Sequence, residues 1–329
     1  MSLRRAARRL ALLGCGAFAR LYHVPVLRVD PRVTLVAICD PAPAEETRRL
    51  AQETGARLTA TAEDVWEACE AVIISTPHAL HARHVRAALD AGRHVLVDKP
   101  FVLASDDARA LDDAARARGL VNAVAFNRRF DPGSRRAREL VQGGALGPVR
   151  HVETVQLGYP AAGWVTDPAL GGGGPFIGRG AHMADLVPWL LGRRPARLRA
   201  RIRPGGAMRV DHGGFIEADF DGLTGQMTVL ADGLFMWDEV RVFGEEGFLE
   251  LRRPLGQPLG WVLTHHGRKG ELRETVPADP AIGAATLNFL DTLEGRATPA
   301  CSFAEAWLSV RWIEAAYQSA EAGGTWIDL

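Results

Sequence analysis

Lysine is nearly absent from this 329-residue chain: Lys99 and Lys269 are the only two among 39 basic residues. Where arginine serves almost every need for positive charge, a retained lysine invites a chemical reading, and Lys99 stands between Asp98 and Pro100. An ammonium there can donate to a substrate oxygen and ease the build-up of alkoxide character on it, while Pro100 fixes the chain beside it. His182 is the second such residue. Its imidazole titrates near neutral pH and suits proton exchange with a hydroxyl or carbonyl. Asp185, three positions on, shares its helical face. The glycines Gly171 to Gly174 ahead of it would let the backbone come close to a ligand or to another part of the chain.

A third group is Gly14-Cys15-Gly16-Ala17-Phe18-Ala19, a GxGxxA pattern behind an apolar run and ahead of a helical stretch. The first glycine permits a tight turn, the second lets a pyrophosphate approach the backbone, and the small Ala19 allows close helix–sheet packing. Asp40, 26 residues after Gly14, stands where an acid would accept ribose hydroxyls. It would repel a 2′-phosphate, and no basic residue directly follows it, so the pattern predicts NAD over NADP.

These residues need elements to place them. Arg9 to Leu13, Val33 to Cys39, Ala71 to Ser75, His94 to Val97 and Val121 to Phe126 are short apolar runs of the kind that form buried parallel strands. Ala42 to Thr54, Ala79 to Ala91 and Ser105 to Arg118 lie between them with apolar residues at helical spacing. The alternation predicts a doubly wound α/β fold with a parallel sheet. Ligands bind outside the carboxyl ends of such strands, so Ser75, Thr76, Pro77, His78, Asp98 and Lys99 should face the cofactor.

After Asp131 the pattern changes to a helix at Gly133 to Gln142 and a strand at Val149 to Leu157. Period-two runs follow at Gly214 to Asp219, Gly225 to Leu230, Glu239 to Phe243, Phe248 to Leu251 and Gly260 to His265. Helical patterns return at Ala281 to Leu293 and Phe303 to Ala322. The reading is two domains: 1–127 binds the dinucleotide, and 128–329 is an α+β substrate domain on an open, largely antiparallel sheet. The closing helix has the option of packing back on the first domain.

Net charge is zero, and no basic-aromatic stretch points to nucleic acid. No segment approaches the length of a membrane span. The four cysteines show no CxxC or metal-ligand spacing, which predicts a cytoplasmic protein without a metal. His78, His81 and His84 are three apart but have no matching fourth ligand. Arg4, Arg5, Arg8 and Arg9 before LALLGCGAFA resemble a signal peptide, yet the apolar run is too short for export.

Taken in order, these motifs resemble the Gfo/Idh/MocA oxidoreductases over nearly the whole chain. The points of likeness are GxGxxA, Thr76 to His81, DKP in place of the more usual EKP, FNRRFDP at Phe126 to Pro132, and GGGxxxxxGxHxxDxxxWLLG at Gly172 to Gly192, followed by the closing helix. The resemblance implies a Rossmann domain and an open-sheet domain used for homodimer or homotetramer contacts. It also implies reversible NAD(P)-dependent oxidation of a sugar, cyclitol or related hydroxy compound. By the same resemblance Lys99 orients and polarises the reacting oxygen, His182 exchanges the proton, and Asn127 and Arg129 lie near nicotinamide and substrate. Asp185 then binds substrate or supports its helix, and His81 is the family-like histidine beside the cofactor.

One departure stands out. Many sugar and inositol dehydrogenases of the family carry Asp four residues before the histidine, where this chain has Gly178, followed by Arg179. Arg179 offers a planar fork for an anion such as a carboxylate, or is a surface or salt-bridged arginine. Trp164, Trp189, Trp237 and Trp261 could stack on sugar faces or serve as core. Two other functions stay open: an NAD-dependent hydrolase or lyase with transient oxidation, and a cofactor- or sugar-binding sensor whose catalytic set has decayed.

Overall fold

The computed structural model describes residues 6–205, 210–253, 260–267, 270–277 and 282–329, with 260, 261 and 271–277 described by their backbone. The Arg4 and Arg5 of the leader-like reading, and Lys269, lie outside the described residues. The chain divides into two compact units: 1–102, 106–127 and 282–307 form the first, and 103–105, 128–281 and 308–329 the second.

The first unit holds strands β1 (Arg8–Leu13), β2 (Val33–Cys39), β3 (Arg57–Thr59), β4 (Ala71–Ile74), β5 (His94–Asp98) and β6 (Asn122–Ala125) in the order β3-β2-β1-β4-β5-β6. Every pairing is parallel. That order reverses direction of winding between β1 and β4, the switch point outside which doubly wound sheets bind nucleotides. Leu10 to Leu13 and Val72 to Ile74 have no exposed surface, as expected of strands covered on both faces. The short edge strand β3 escapes the apolar-run criterion because Arg57 is exposed and only Leu58 is strongly apolar.

The helices of this unit are α1 (Ala17–Tyr22), α2 (Val24–Val29), α3 (Glu45–Thr54), α4 (His81–Asp90), α5 (Ser105–Ala117) and, much later in the chain, Ala284–Leu293. The last of these corrects the boundary drawn at residue 127. Arg32 bonds Asp291 at 2.6 Å and Arg8 donates to the carbonyl of Leu293 at 3.2 Å. Polar ties of that range in sequence were invisible to local patterning.

The second unit contains α6 (Pro132–Gln142), β7 (Val149–Leu157), α7 (Pro168–Gly171), α8 (Pro175–Leu191), β8 (Arg197–Ile202), β9 (Gly213–Asp219), β10 (Thr224–Leu230), β11 (Trp237–Gly244), β12 (Gly247–Arg252), β13 (Gly260–Gly267), β14 (Gly270–Pro277) and β15 (Ile327–Asp328). With Ala284–Leu293 as α9, α10 is the closing helix Phe303–Glu321, of which residues 308–321 belong here. The nine strands run β14-β13-β12-β11-β7-β10-β9-β8-β15, antiparallel throughout except β7 with β10.

Alternation decides the two faces of this sheet. Ile216, Met227, Val229, Val240 and Val242 turn inward to a core shared with Phe176, Met183, Ala184, Trp312 and Ile313. The opposite face carries cross-strand pairs such as Arg199–Glu217 at 2.6 Å and Arg241–Glu153 at 2.8 Å. Strand β8 is missed from sequence because every second residue is an arginine, which hides the inward Leu198 and Ala200.

Candidate active site

In the first unit the glycine turn is built as its motif requires. Gly14 has φ +80° and donates its amide to Cys39 at 2.8 Å. A Cβ at this position would collide with the carbonyl oxygen of Ser75, so only glycine can join β1 to α1 here. Gly16 is different. A Cβ on it would meet nothing within 4 Å, and no side chain caps the helix it opens. Its surface and the first amides of α1 therefore suit an anionic group. Ala19 is fully buried, which lets α1 pack closely, and Phe18 stacks on Tyr22.

Asp40 is tied to this turn. One carboxylate oxygen accepts from the amide of Cys15 at 3.2 Å and the other from Ala42 at 3.0 Å. The remaining lone pairs can take a ribose diol. Cys15 was expected among the cofactor contacts; its amide is committed to Asp40 and its thiol is buried, with burial raising the thiol's pKa. It shapes the turn.

The ends of β4 and β5 are joined by a buried chain of polar groups. Thr286 bonds His23 Nδ1 at 2.8 Å, His23 Nε2 bonds Asp98 at 3.0 Å, and the Ser75 hydroxyl donates to the other oxygen of Asp98. His23 is fully buried and Asp98 6% exposed. Ser75 and Asp98, both expected to face the cofactor, thus bond each other through their side chains. His23 and Thr286 were not foreseen, because a partner 75 residues away leaves no local signal.

His81 performs a similar service. Its ring nitrogens contact the carbonyl oxygens of Pro100, at 2.8 Å, and Thr76, at 2.9 Å, and burial lowers its pKa. The histidine thus connects the two loops that carry Thr76 and Pro77 on one side and Lys99 on the other. His84 contacts the Thr76 hydroxyl at 3.3 Å and burial pulls its pKa down to about 4. His78 is buried at the start of the same stretch. Among the described residues no group of three or more His, Cys, Asp or Glu is placed to hold a metal ion.

Lys99 is half-buried at the end of β5, before a cis peptide bond to the buried Pro100. Asn127, 8% exposed, follows β6. The turn at Gly14, the open Gly16 and the carboxylate of Asp40 fit a dinucleotide.

In the second unit His182 is half-buried on α8. Asp185 and Arg129 are brought together with each other: Nη2 and Nε of Arg129 reach the carboxylate at 2.6 and 2.9 Å, with both side chains buried. This bidentate geometry supports the helix. The four glycines also turn out differently. A Cβ on Gly171 would lie 2.7 Å from the Val165 carbonyl, on Gly172 2.5 Å from Leu103, and on Gly173 2.5 Å from the Tyr317 hydroxyl. Each is small where the loop packs against its own unit. Asp211 completes that packing, accepting from the Phe176 amide at 2.9 Å and the Tyr317 hydroxyl at 2.7 Å. Burial raises the pKa of both Asp211 and Tyr317.

Arg179 is half-buried and donates to the carbonyl of Tyr159 at 3.3 Å and to the sulfur of Met236 at 3.5 Å. Of the tryptophans, Trp189 lies under Arg138 at 4.4 Å and Trp237 donates to Glu239 at 2.9 Å, whereas Trp164 is 38% exposed. The side chain of Trp261 lies outside the described residues. A further acid that sequence reasoning passed over is Asp238, buried on β11, which accepts from Arg128 at 2.9 Å and Gln156 at 3.0 Å. The nearby arginines, Arg128 foremost, outweigh its burial and lower its pKa.

With this geometry in view, the comparisons are specific. Residues 8–126 match the oxidoreductase family model with an NAD-binding Rossmann fold, and 134–250 match the GFO/IDH/MocA C-terminal domain. The chain belongs to the GFO/IDH/MocA oxidoreductase family. It is 34% identical over 197 residues to D-glucoside 3-dehydrogenase of Escherichia coli K12, covering 56% of this chain and 54% of that protein. It is 27% identical over 307 residues to 1,5-anhydro-D-fructose reductase of Ensifer adhaerens, covering 89% and 90%. The crystal structure of GenD2 from gentamicin A biosynthesis in complex with NAD superposes with a TM-score of 0.86 at 29% identity, covering 100% of this chain and 98% of that one. The match to the glucoside dehydrogenase thus spans about half that enzyme's length. No helix among the described residues is long and apolar enough to cross a membrane.

Proposed function

We propose that the protein is an NAD-dependent oxidoreductase that transfers a hydride between nicotinamide and a carbon of a sugar, cyclitol or related hydroxy or keto compound. The observation that carries this reading is the bond from the Cys15 amide to Asp40, which fixes a ribose-binding acid to the glycine turn. When bound, NAD supplies the ring that accepts or returns the hydride. Asp40 accepts from the ribose hydroxyls and disfavours a 2′-phosphate. Lys99 donates to the reacting oxygen of the substrate and stabilises negative charge there. His182 takes the hydroxyl proton, or returns it in the reductive direction. The names of the relatives, a glucoside dehydrogenase and an anhydrofructose reductase, support a polyhydroxylated substrate.

We further place the protein in the cytoplasm as a homodimer or homotetramer assembled through the outer face of the nine-stranded sheet. Cys15, Cys39, Cys69 and Cys301 are buried thiols, which suits a reducing compartment. The outer face adds the exposed Phe215 to its ion pairs, and light scattering on a sizing column gives the assembly directly. The cofactor assignment is tested by titrating the purified protein with NADH and NADPH at matched ionic strength, read by tryptophan fluorescence. Tight NADH with weak NADPH is expected; binding of neither removes the roles given to Lys99 and His182.

A further inference from the structure

Arg179 is a half-buried guanidinium that has no carboxylate within ion-pairing distance among the described residues. Two other arginines of the same unit do have one: Arg129 is forked onto Asp185 and Arg128 is bonded to Asp238. Two charges act on Arg179 in opposite senses, Asp238 and Arg128, and they are already bonded to each other. Burial is the largest influence on it and lowers its pKa from the ordinary arginine value. Partly desolvating a cation that has no ion pair among the described residues is costly.

The surroundings are shaped for this side chain. A Cβ on Gly158 would fall onto the guanidinium, so the absence of a side chain at the end of β7 makes room for it. Gly158 in turn accepts from the Gly233 amide at 3.0 Å, which ties the loop carrying Phe235 and Met236 to the same place. Among the described residues Arg179 donates to a carbonyl at 3.3 Å and a thioether at 3.5 Å, which leaves most of its donor fork unused. Tyr159, whose backbone carbonyl accepts from Arg179, is 54% exposed, and Phe235, next in sequence to Met236, is 41% exposed; exposed aromatic faces are the kind on which a sugar ring rests. Arg179 and His182 are three apart on α8 and share a helical face.

We propose that Arg179 is a specificity residue that recognises a carboxylate on the substrate, making the preferred substrate a sugar acid or other polyhydroxylated acid. The charge balance selects carboxylate over phosphate ester: one uncompensated guanidinium matches a monoanion, and Arg128 is spent on Asp238. The proposal rests on the oxidoreductase reading for its catalytic meaning, but its binding test does not.

The test is calorimetric titration of the protein, with and without saturating NADH, using D-glucuronate, D-galacturonate and D-gluconate, their neutral counterparts D-glucose, D-galactose and glucitol, and glucose 6-phosphate. At least one acid should bind about tenfold or more tighter than its neutral counterpart, the worth of a charged hydrogen-bonded pair. Arg179→Met should abolish that preference and Arg179→Lys should restore part of it. Arg179→Met should also melt no lower than the parent protein, since a poorly compensated charge is removed; a purely structural arginine would give a lower melting temperature. No acid preferred over its neutral counterpart, an unchanged preference in Arg179→Met, or a phosphate ester bound as well as the acid would each overturn the proposal. If NADH fails to bind while the acid preference is present and lost in Arg179→Met, the oxidoreductase reading fails and the carboxylate site stands.

Discussion

Lys99 and His182 are held by opposite means. Around Lys99 the neighbours do the holding: Thr286, His23, Asp98 and Ser75 form one buried polar chain, and His81 connects the flanking loops through two carbonyl contacts. His182 instead takes its place from a long helix, α8, which packs through residues such as Phe176, Met183 and Ala184 in the core and whose polar ties are few and strong, among them Arg129–Asp185 and the Asp211 contact to the Phe176 amide. The first arrangement spreads its cost over many hydrogen bonds, and losing one leaves others. The second concentrates it in buried charge. Function and stability should therefore separate cleanly at Lys99 and be entangled at the buried Arg129–Asp185 tie of α8.

The widest effect expected is at Lys99 itself. Lys99→Met should lower kcat/KM about a thousandfold on a substrate that gives NADH turnover, roughly 4 kcal/mol of transition-state stabilisation. NADH affinity and melting temperature should hardly change. A large loss of melting temperature would break the contrast, because the turn would then depend on the lysine. Arg129→Met leaves Asp185 buried without its fork and should cost about 3–5 kcal/mol of stability; urea unfolding measures it, and a loss below about 1 kcal/mol would show that α8 is not anchored by charge.

His84 sharpens the first half of the comparison through pH. Its folded pKa of about 4 lies below that of a free histidine, so the unfolded chain binds the proton first as pH falls. Stability is then unaffected above about pH 6.5 and declines towards pH 4, by up to about 3 kcal/mol for this group alone. His84→Gln should flatten that part of the stability curve, and an unchanged acid limb would remove His84 as its cause. The smallest effect belongs to the outer sheet face: Glu217→Ala opposite Arg199 should change stability by no more than about 1 kcal/mol. A larger change in a concentration-dependent melting temperature would mean that this pair lies within an assembly interface.

What could be read from sequence was whatever is written locally. The apolar runs of β1, β2, β4 and β5 reveal themselves because both faces of a parallel sheet are buried, and the turn at Gly14 because a strand, a turn and a helix follow within a few residues. The His23–Asp98 and Arg129–Asp185 bonds join residues 75 and 56 positions apart, and nothing in either neighbourhood announces its partner. The glycines at 171 to 174 teach a subtler point. Their sequence shows that side chains are excluded, but whether a ligand or the Val165 carbonyl, Leu103 and Tyr317 stand in the way is a fact of three dimensions. Arg179 shows the reverse, since only the structure distinguishes a forked arginine from an open one.

The composition that first singled out Lys99 also makes it experimentally addressable. A protein that carries its positive charge almost entirely on guanidinium groups offers an amine-directed acylating reagent just two side-chain targets, Lys99 and Lys269. Mass spectrometry can follow each separately without mutating either. The half-buried turn at the end of β5 thereby becomes a built-in reporter: its acylation rate, compared with that of Lys269, records occupancy of its surroundings in the unaltered protein.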